Sequence, residues 1–107
     1  TSIYFTAPSQ VAAQRIARAI HEERLAACVN ILPGAVSLYR WKGRVERSRE
    51  VVCFVKTVKS RVPDLMGRIQ ELHPYSTPAI FALPLARANA GALAWLEEET
   101  RPETRRG

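Results

Sequence analysis

The sequence predicts an α+β fold with the element order βαββαβ, a long hairpin between the second and third strands, and a short carboxyl-terminal helix. Short apolar runs alternate with two longer segments whose apolar residues recur at intervals of three and four. Residues 35–56 have the pattern of two strand arms around a glycine. A length of 107 residues with an apolar fraction of 47% suits one core. We therefore predict a single domain over residues 1–100 and a disordered tail over residues 101–107.

The first strand and the first helix follow from local signals. Residues 2–7 are predicted to form the strand, which Pro8 ends because proline has no backbone N–H to donate. Ser9 is predicted to cap the amino end of a helix over residues 10–24. Alanines favour that helix, and its apolar face is built mostly of small residues. A helix with such a face can pack close to a sheet.

The next segment is predicted to form two strands joined in a long hairpin. Residues 25–32 predict the second strand, and Pro33 with Gly34 after it predicts a bulge or bend. Gly43 lies where the hairpin reverses, because glycine adopts positive φ at little steric cost. The far arm ends in the apolar run 51–55, typical of a strand covered on both faces. A projecting hairpin leaves strand edges unpaired, which predicts a partner.

The second helix has the clearest helical pattern in the chain. Ser60 is predicted to cap it, and Pro63 is tolerated in its first turn. His73 and Pro74 are predicted to end it, because proline disfavours the helical conformation of the residue before it. Its apolar residues fall at intervals of three and four, as expected for one buried face: Val62, Leu65, Ile69 and Leu72.

A last strand and a terminal helix complete the predicted order. Residues 79–85 predict the strand, and Pro84 within this run favours an edge position or a bulge. Asn89 is predicted to cap a helix that carries Leu93, Trp95 and Leu96. The acidic residues 97–99 oppose the helix dipole, so we predict that this end frays and that disorder begins at residue 100.

Composition argues against several classes of protein. The formal net charge is +6, but the cations form no single block, which favours a solvated basic surface over a nucleic-acid face. No run approaches the ~20 apolar residues of a membrane span, so a cytoplasmic protein without a membrane partner is predicted. Cys28 and Cys53 lie in separate apolar runs, which predicts two reduced, buried thiols. No His or Cys residues have the spacing of a structural zinc site.

Seven short motifs occur in order between Ile3 and Leu96, and their order is more specific than any one of them. They are Thr6-Ala7-Pro8, residues 25–30 (LAACVN), Pro33-Gly34, Ser37-x-Tyr39-x-Trp41-x-Gly43, Lys56-Thr57, His73-Pro74-Tyr75 with Pro78, and Leu93-x-Trp95-Leu96. Together they resemble the CutA family, the divalent-cation tolerance proteins.

This resemblance implies a ferredoxin-like sandwich and a tight homotrimer, in which the hairpins of neighbouring subunits extend each other's sheets as in the PII-like architecture. It also implies a cytosolic protein that responds to copper and other divalent metals, with no obligatory cofactor and no established enzymatic reaction. Some members have a cysteine before Thr-Ala-Pro and two consecutive histidines before Pro-Tyr, a trio proposed to bind copper. Phe5 and Leu72 stand at two of those positions here, so only His73 is retained.

Cys28 and His73 are the candidate metal ligands. A thiolate can ligate a soft ion such as Cu(I), and a neutral imidazole can ligate Cu(II) or Zn(II). The alternative for Cys28 is a small buried apolar residue, and for His73 a residue bonded to backbone carbonyls. One cysteine and one histidine are too few for tight binding, so a second chain or water would have to supply further ligands.

A second candidate site is an inter-subunit cleft, which would make the protein a PII-like sensor or scaffold for a small molecule. Glu46, Glu50 and Lys56 share one face of the hairpin's far arm, because strand residues of equal parity point the same way. Ion pairing and aromatic packing at an interface are the alternative role for these residues. The predicted lining of a cleft for a small anion or metabolite is Asn30, Trp41, Glu46, Glu50, Lys56, Tyr75 and Trp95.

Enzymatic activity and RNA binding are not predicted. The sequence has no glycine-rich phosphate loop, no paired helix histidines and no Gly-x-Ser-x-Gly elbow. RNA-recognition domains share the βαββαβ order but need an aromatic signature on the third strand, where this chain has the apolar run 51–55.

Overall fold

The computed structural model describes residues 1–102 and confirms the predicted α+β fold with its βαββαβ order. A short 3-10 turn, Lys59–Arg61, precedes the second helix. The elements are β1 (Ser2–Ala7), α1 (Gln10–Glu22), β2 (Cys28–Trp41), β3 (Arg44–Lys56), α2 (Val62–Leu72), β4 (Ile80–Leu83) and α3 (Ala90–Glu99).

The four strands form one antiparallel sheet in the order β2-β3-β1-β4. Its two faces differ because alternate strand residues point to opposite sides. One face carries Ile3, Phe5 and Cys53, which pack with the buried stripes of α1 and α2 into the core. The other face, which we call the open face, has no helix across it among residues 1–102. On it Tyr4 pairs with Phe54 on one side and with Phe81 on the other.

The two core helices differ in how their amino ends are capped. The Ser9 hydroxyl accepts a hydrogen bond from the Ala12 N–H at 3.1 Å, which confirms the predicted cap of α1. The predicted cap of α2 was wrong, because Ser60 lies inside the 3-10 turn and Arg61 occupies the cap position without a side-chain bond. The extra turn sets the start of α2 one residue later than a serine cap would.

The long hairpin is confirmed, with a later start than predicted. Residues 25–27 belong to the loop after α1, where the Leu25 and Ala26 N–H groups both donate to the Ile20 carbonyl, and β2 begins only at Cys28. The predicted bulge is present between Leu32 and Ala35, and the pairing with β3 continues beyond it to Trp41. The reversal is a two-residue turn with positive φ at both Lys42 and Gly43, as a tight hairpin turn requires.

The last strand is shorter than predicted. It ends at Leu83, because Pro84 has no N–H to continue the ladder, and its edge position is confirmed by the strand order. Asn89 occupies the predicted cap position of α3, but its side chain makes no capping bond. The start of α3 therefore depends on backbone bonds alone.

The carboxyl end of α3 is held by hydrogen bonds from two arginines, so the predicted fraying over residues 97–99 was wrong. Arg24, which has a φ of 60°, donates from Nε to the Arg101 carbonyl at 2.6 Å and from Nη2 to the Glu98 carbonyl at 2.7 Å. Arg61 donates to the Thr100 carbonyl at 2.9 Å. These cations bond one carbonyl in the last turn of the helix and two carbonyls just after it. Thr100 is consequently buried and not disordered, and residues 103–107 of the predicted tail lie outside the described residues.

Cys53 lies fully inside the core, as predicted for a reduced thiol. Burial raises the pKa of this thiol from 9.0 to about 11, so unfolding lowers the pKa. Between about pH 9 and 11 the unfolded chain ionises Cys53 and the folded chain does not. We therefore expect the unfolding free energy of the wild type, relative to Cys53→Ala, to fall as the pH rises through this window. Guanidinium denaturation of both proteins at several pH values measures it, and a constant difference would contradict the assigned burial.

Candidate functional site

His73 ends α2 and is held by two backbone groups. Its Nε2 lies 2.7 Å from the Thr6 carbonyl oxygen, and its Nδ1 accepts a hydrogen bond from the Tyr75 N–H at 3.1 Å. Because a carbonyl can only accept, the ring proton lies on Nε2. The ring is buried and stands edge-on to Phe5, with 6.0 Å between the ring centroids. Neither ring nitrogen therefore has a free lone pair, and the structure places His73 in the backbone-bonded role named above as its alternative.

Tyr75 links this turn to the hairpin. Its hydroxyl donates to the Glu50 carboxylate at 3.4 Å, and its ring lies 4.9 Å from the His73 ring. Burial raises the pKa of the Tyr75 hydroxyl, and the negative charge of Glu50 raises it further. The hydroxyl thus remains a donor at neutral pH. Of the predicted cleft residues, Glu50 and Tyr75 are one pair that the fold of a single chain brings into contact.

Cys28 is the first residue of β2 and is half-buried on the open face. Its Sγ lies 4.0 Å from Oδ1 of Asn30, two residues along the same side of the strand. Cys28 pairs with Lys56 across the ladder, so the residue opposite it on β3 is a cation. The thiol is therefore less buried than predicted, because the open face has no covering layer within residues 1–102.

The two candidate metal ligands lie at opposite ends of the sheet. Cys28 is in the row of Ser2 and Lys56, whereas His73 bonds to Thr6. Four residues along the strand and two strand spacings separate these points by about 13 Å and about 10 Å. Within residues 1–102, no three His, Cys, Asp or Glu side chains come together as a metal-binding group. The donors that the structure describes in one chain do not fit a closed metal site.

Asn30 and Lys56, the second pair of predicted cleft residues, share a depression of about 470 Å³ on the open face. Its wall also contains Ser2 and Leu85, which are not among the predicted cleft residues. The alternation of β1 places Ser2 on the open face, so parity could have identified it. Parity within the predicted strand 79–85 likewise puts Leu85 on the face of Phe81, although the observed strand ends at Leu83. The full lining is Ser2, Asn30, Ile31, Leu32, Phe54, Lys56 and Leu85.

The remaining cleft residues stay apart in a single chain. Trp41 lies at the tip of the hairpin and Trp95 on α3, and both are exposed. Glu46 shares a face of β3 with Glu50 and Lys56, as predicted, but ten residues separate it from Lys56. That spacing corresponds to about 33 Å along the strand. A cleft containing all seven residues would need more than one chain.

The open face and the hairpin expose a large amount of apolar surface. Single exposed apolar residues are ordinary, but a continuous patch marks a surface that another molecule covers. None of the helices in the described part of the chain is long and apolar enough to cross a bilayer. The exposed large apolar residues here include Leu32, Val36, Leu38, Tyr39, Trp41, Phe81, Leu83 and Leu85.

Comparisons with known proteins agree with this architecture. The Thermus thermophilus "Divalent-cation tolerance protein CutA" is 49% identical over 98 residues, which are 92% of this chain and 95% of that protein. A solved structure from the same organism has a TM-score of 0.89 at 48% identity, covering 92% of this chain and 96% of that one. "Protein CutA" of Homo sapiens is 40% identical over 100 residues, and the match spans 94% of this chain but 56% of the human protein.

One further structure bears on the cellular compartment. It is described as the periplasmic divalent cation tolerance protein CutA from Archaeoglobus fulgidus, and it has a TM-score of 0.91 at 38% identity, covering 94% of this chain and 97% of that one.

The profile of the family described as "CutA1 divalent ion tolerance protein" matches residues 1–99. With this match the resemblance drawn from the seven motifs is confirmed, and the chain belongs to the CutA1 divalent ion tolerance protein family.

Proposed function

We propose that this chain is a homotrimeric divalent-cation tolerance protein that acts in the response to metal ions. The observation that carries the proposal is the family match over residues 1–99, together with the tolerance function in the name of the Thermus thermophilus relative. That relative matches over almost its whole length, so its named role applies to a protein of the same extent. The role is one of binding and not of catalysis.

The uncovered apolar surface supports assembly into a trimer. Phe81, Leu83 and Leu85 are each more than two-fifths exposed along one edge of the open face. Covering them with a second copy removes apolar area from water at about 25 cal/mol per Å². The long hairpin supplies further apolar surface beyond the body of its own chain, which favours contact with a neighbour. A ring of three copies can bury both surfaces at once.

The donor chemistry favours Cys28 over His73 as a metal ligand. His73 would have to give up a hydrogen bond before either nitrogen could ligate, and the Thr6 carbonyl or the Tyr75 N–H would lose its partner. The Cys28 thiol has only the weak 4.0 Å contact with Asn30 to give up. We therefore propose that Cys28 supplies a thiolate to a soft ion such as Cu(I), with the other ligands coming from a second chain or water.

A cytoplasmic location and a non-enzymatic role complete the proposal. Both cysteines are free, which suits a compartment that keeps thiols reduced. His21 is exposed on α1, and the His73 ring is bonded at both nitrogens. Neither histidine is placed beside a Ser or Cys nucleophile in the described contacts, which supports binding as the role of this fold.

Calorimetry with Cu(I), Cu(II) and Zn(II) tests the metal role. We expect the wild type to bind Cu(I), Cys28→Ser to lose that binding at least tenfold, and Cys53→Ala to retain it, because Cys53 is closed inside the core. Analytical ultracentrifugation of the same samples reports the oligomer. Equal Cu(I) affinity in wild type and Cys28→Ser would exclude Cys28 as a ligand. A monomer at micromolar concentration would exclude the trimer.

A further inference from the structure

The depression on the open face contains a cation without a counter-charge. Lys56 ends β3 there, and no described carboxylate forms an ion pair with its ammonium group. Neither of its neighbours on the two flanking strands, Ser2 and Cys28, is a carboxylate. Lys56 lies beside apolar residues that a neighbouring copy would cover in the proposed trimer. Removing the ammonium group from water without an opposite charge nearby is costly, so it needs a negatively charged partner. The depression is therefore suited to a negatively charged group.

Two neutral donors lie beside this cation. Ser2 is only 8% exposed as a residue and lines the depression, and none of the hydrogen bonds in the described residues uses its hydroxyl. Asn30 has its Oδ1 in contact with the Cys28 thiol, so its amide N–H₂ is left to donate. Ser2 and Asn30 lie on the two strands that flank β3, about 10 Å apart across the sheet, so an anion held by Lys56 can accept from the donor on either side.

The rest of the wall is apolar. Leu32, Phe54 and Leu85 line it, and its volume of about 470 Å³ is within the range of roughly 300–1,000 Å³ typical of small-molecule pockets. A site with one positive charge and four large apolar residues, Ile31 among them, favours an anion that also carries an apolar group. Inorganic phosphate, with two negative charges and no apolar part, matches this wall poorly.

We propose that this depression binds a small organic anion, a monocarboxylate with an aliphatic or aromatic group. The carboxylate contacts the Lys56 ammonium and one of the two flanking donors, Ser2 or Asn30, and the apolar group lies against Phe54 and Leu85. The site needs no metal ion. It rests on the proposed trimer in one respect: a second copy laid on the open face encloses the bound anion between subunits.

Calorimetry on the assembled protein, without added metal, tests the site with isovalerate and phenylacetate as probes. We expect both to bind, isovaleramide to bind at least tenfold more weakly, and phosphate to give no heat, because a hydrogen bond to a charged group is lost in the amide. Lys56→Gln is expected to weaken carboxylate binding by roughly 10- to 100-fold. Lys59→Gln, which changes an exposed lysine outside the lining, serves as the matched control and should bind as the wild type does.

Two results would overturn the site. One is equal binding by Lys56→Gln and the wild type. The other is no carboxylate binding by a wild type that sedimentation shows to be assembled, because a carboxylate of the neighbouring copy then already pairs with Lys56. Leu85→Trp, which fills the depression without touching the charge, gives a second test if Lys56→Gln does not fold. Sedimentation of the unliganded protein tests the proposed trimer independently of these affinities.

Discussion

Replacing Phe81 with aspartate is expected to convert the proposed trimer to monomers while each chain keeps its fold. Phe81 lies on the edge strand β4, is 55% exposed in the single chain, and has its ring 6.4 Å from that of Tyr4. In the single chain the new carboxylate would remain in water, so folding loses little. In a covered interface the same carboxylate would be desolvated without a partner, which costs several kcal/mol. Sedimentation velocity should show the mass fall from trimer to monomer.

Val11→Asp is the matched control for this prediction. Val11 is 78% exposed on α1, on the opposite layer of the molecule from the open face. The same change of charge there should leave the mass of the assembly unaltered. Circular dichroism should give the same secondary structure for both variants. A trimer that persists in Phe81→Asp would show that the open face is not the subunit contact.

Strand and helix positions could be predicted wherever the signal is local to the chain. Ser9 caps α1 as predicted because the capping bond spans three residues, and Gly43 forms the reversal because its positive φ is intrinsic. The end of α3 could not be predicted in this way. The Glu98 carbonyl and that of the C-cap residue Thr100 are bonded by Arg24 and Arg61, which lie 74 and 39 residues away from these acceptors. The groups that hold this end are remote in sequence, so the unfavourable helix dipole of residues 97–99 could not predict whether the end frays.

In the candidate site, too, local patterns could be predicted from the sequence and tertiary contacts could not. Parity along β3 correctly put Glu50 and Lys56 on one face, but it carried no information about distance across the sheet. Cys28 and His73 were joined only by their chemistry, and the strand register separates them. The partners that decide the role of His73 are a carbonyl of β1 and an N–H of the following turn. Backbone groups of this kind leave no mark in the sequence.

His73→Ala is expected to lower the unfolding free energy by about 2–4 kcal/mol. The change leaves the Thr6 carbonyl and the Tyr75 N–H without their partners and removes a buried ring that packs against Phe5. Guanidinium denaturation measures the loss, with all samples at one protein concentration because assembly adds to apparent stability. His21→Ala is the matched control. His21 is exposed on α1, so its loss should change stability by no more than about 0.5 kcal/mol.

The metal dependence of this loss separates a structural histidine from a ligand. If His73 acts through its two backbone bonds, its replacement costs the same free energy in a chelator as in Zn(II) or Cu(II), because the bonds contain no metal. A ligand would behave differently, since metal binding to the folded state stabilises only the protein that has the ligand. The cost of His73→Ala would then appear with metal and vanish in the chelator. Because both ring nitrogens are occupied in the structure, we expect equal costs under the two conditions.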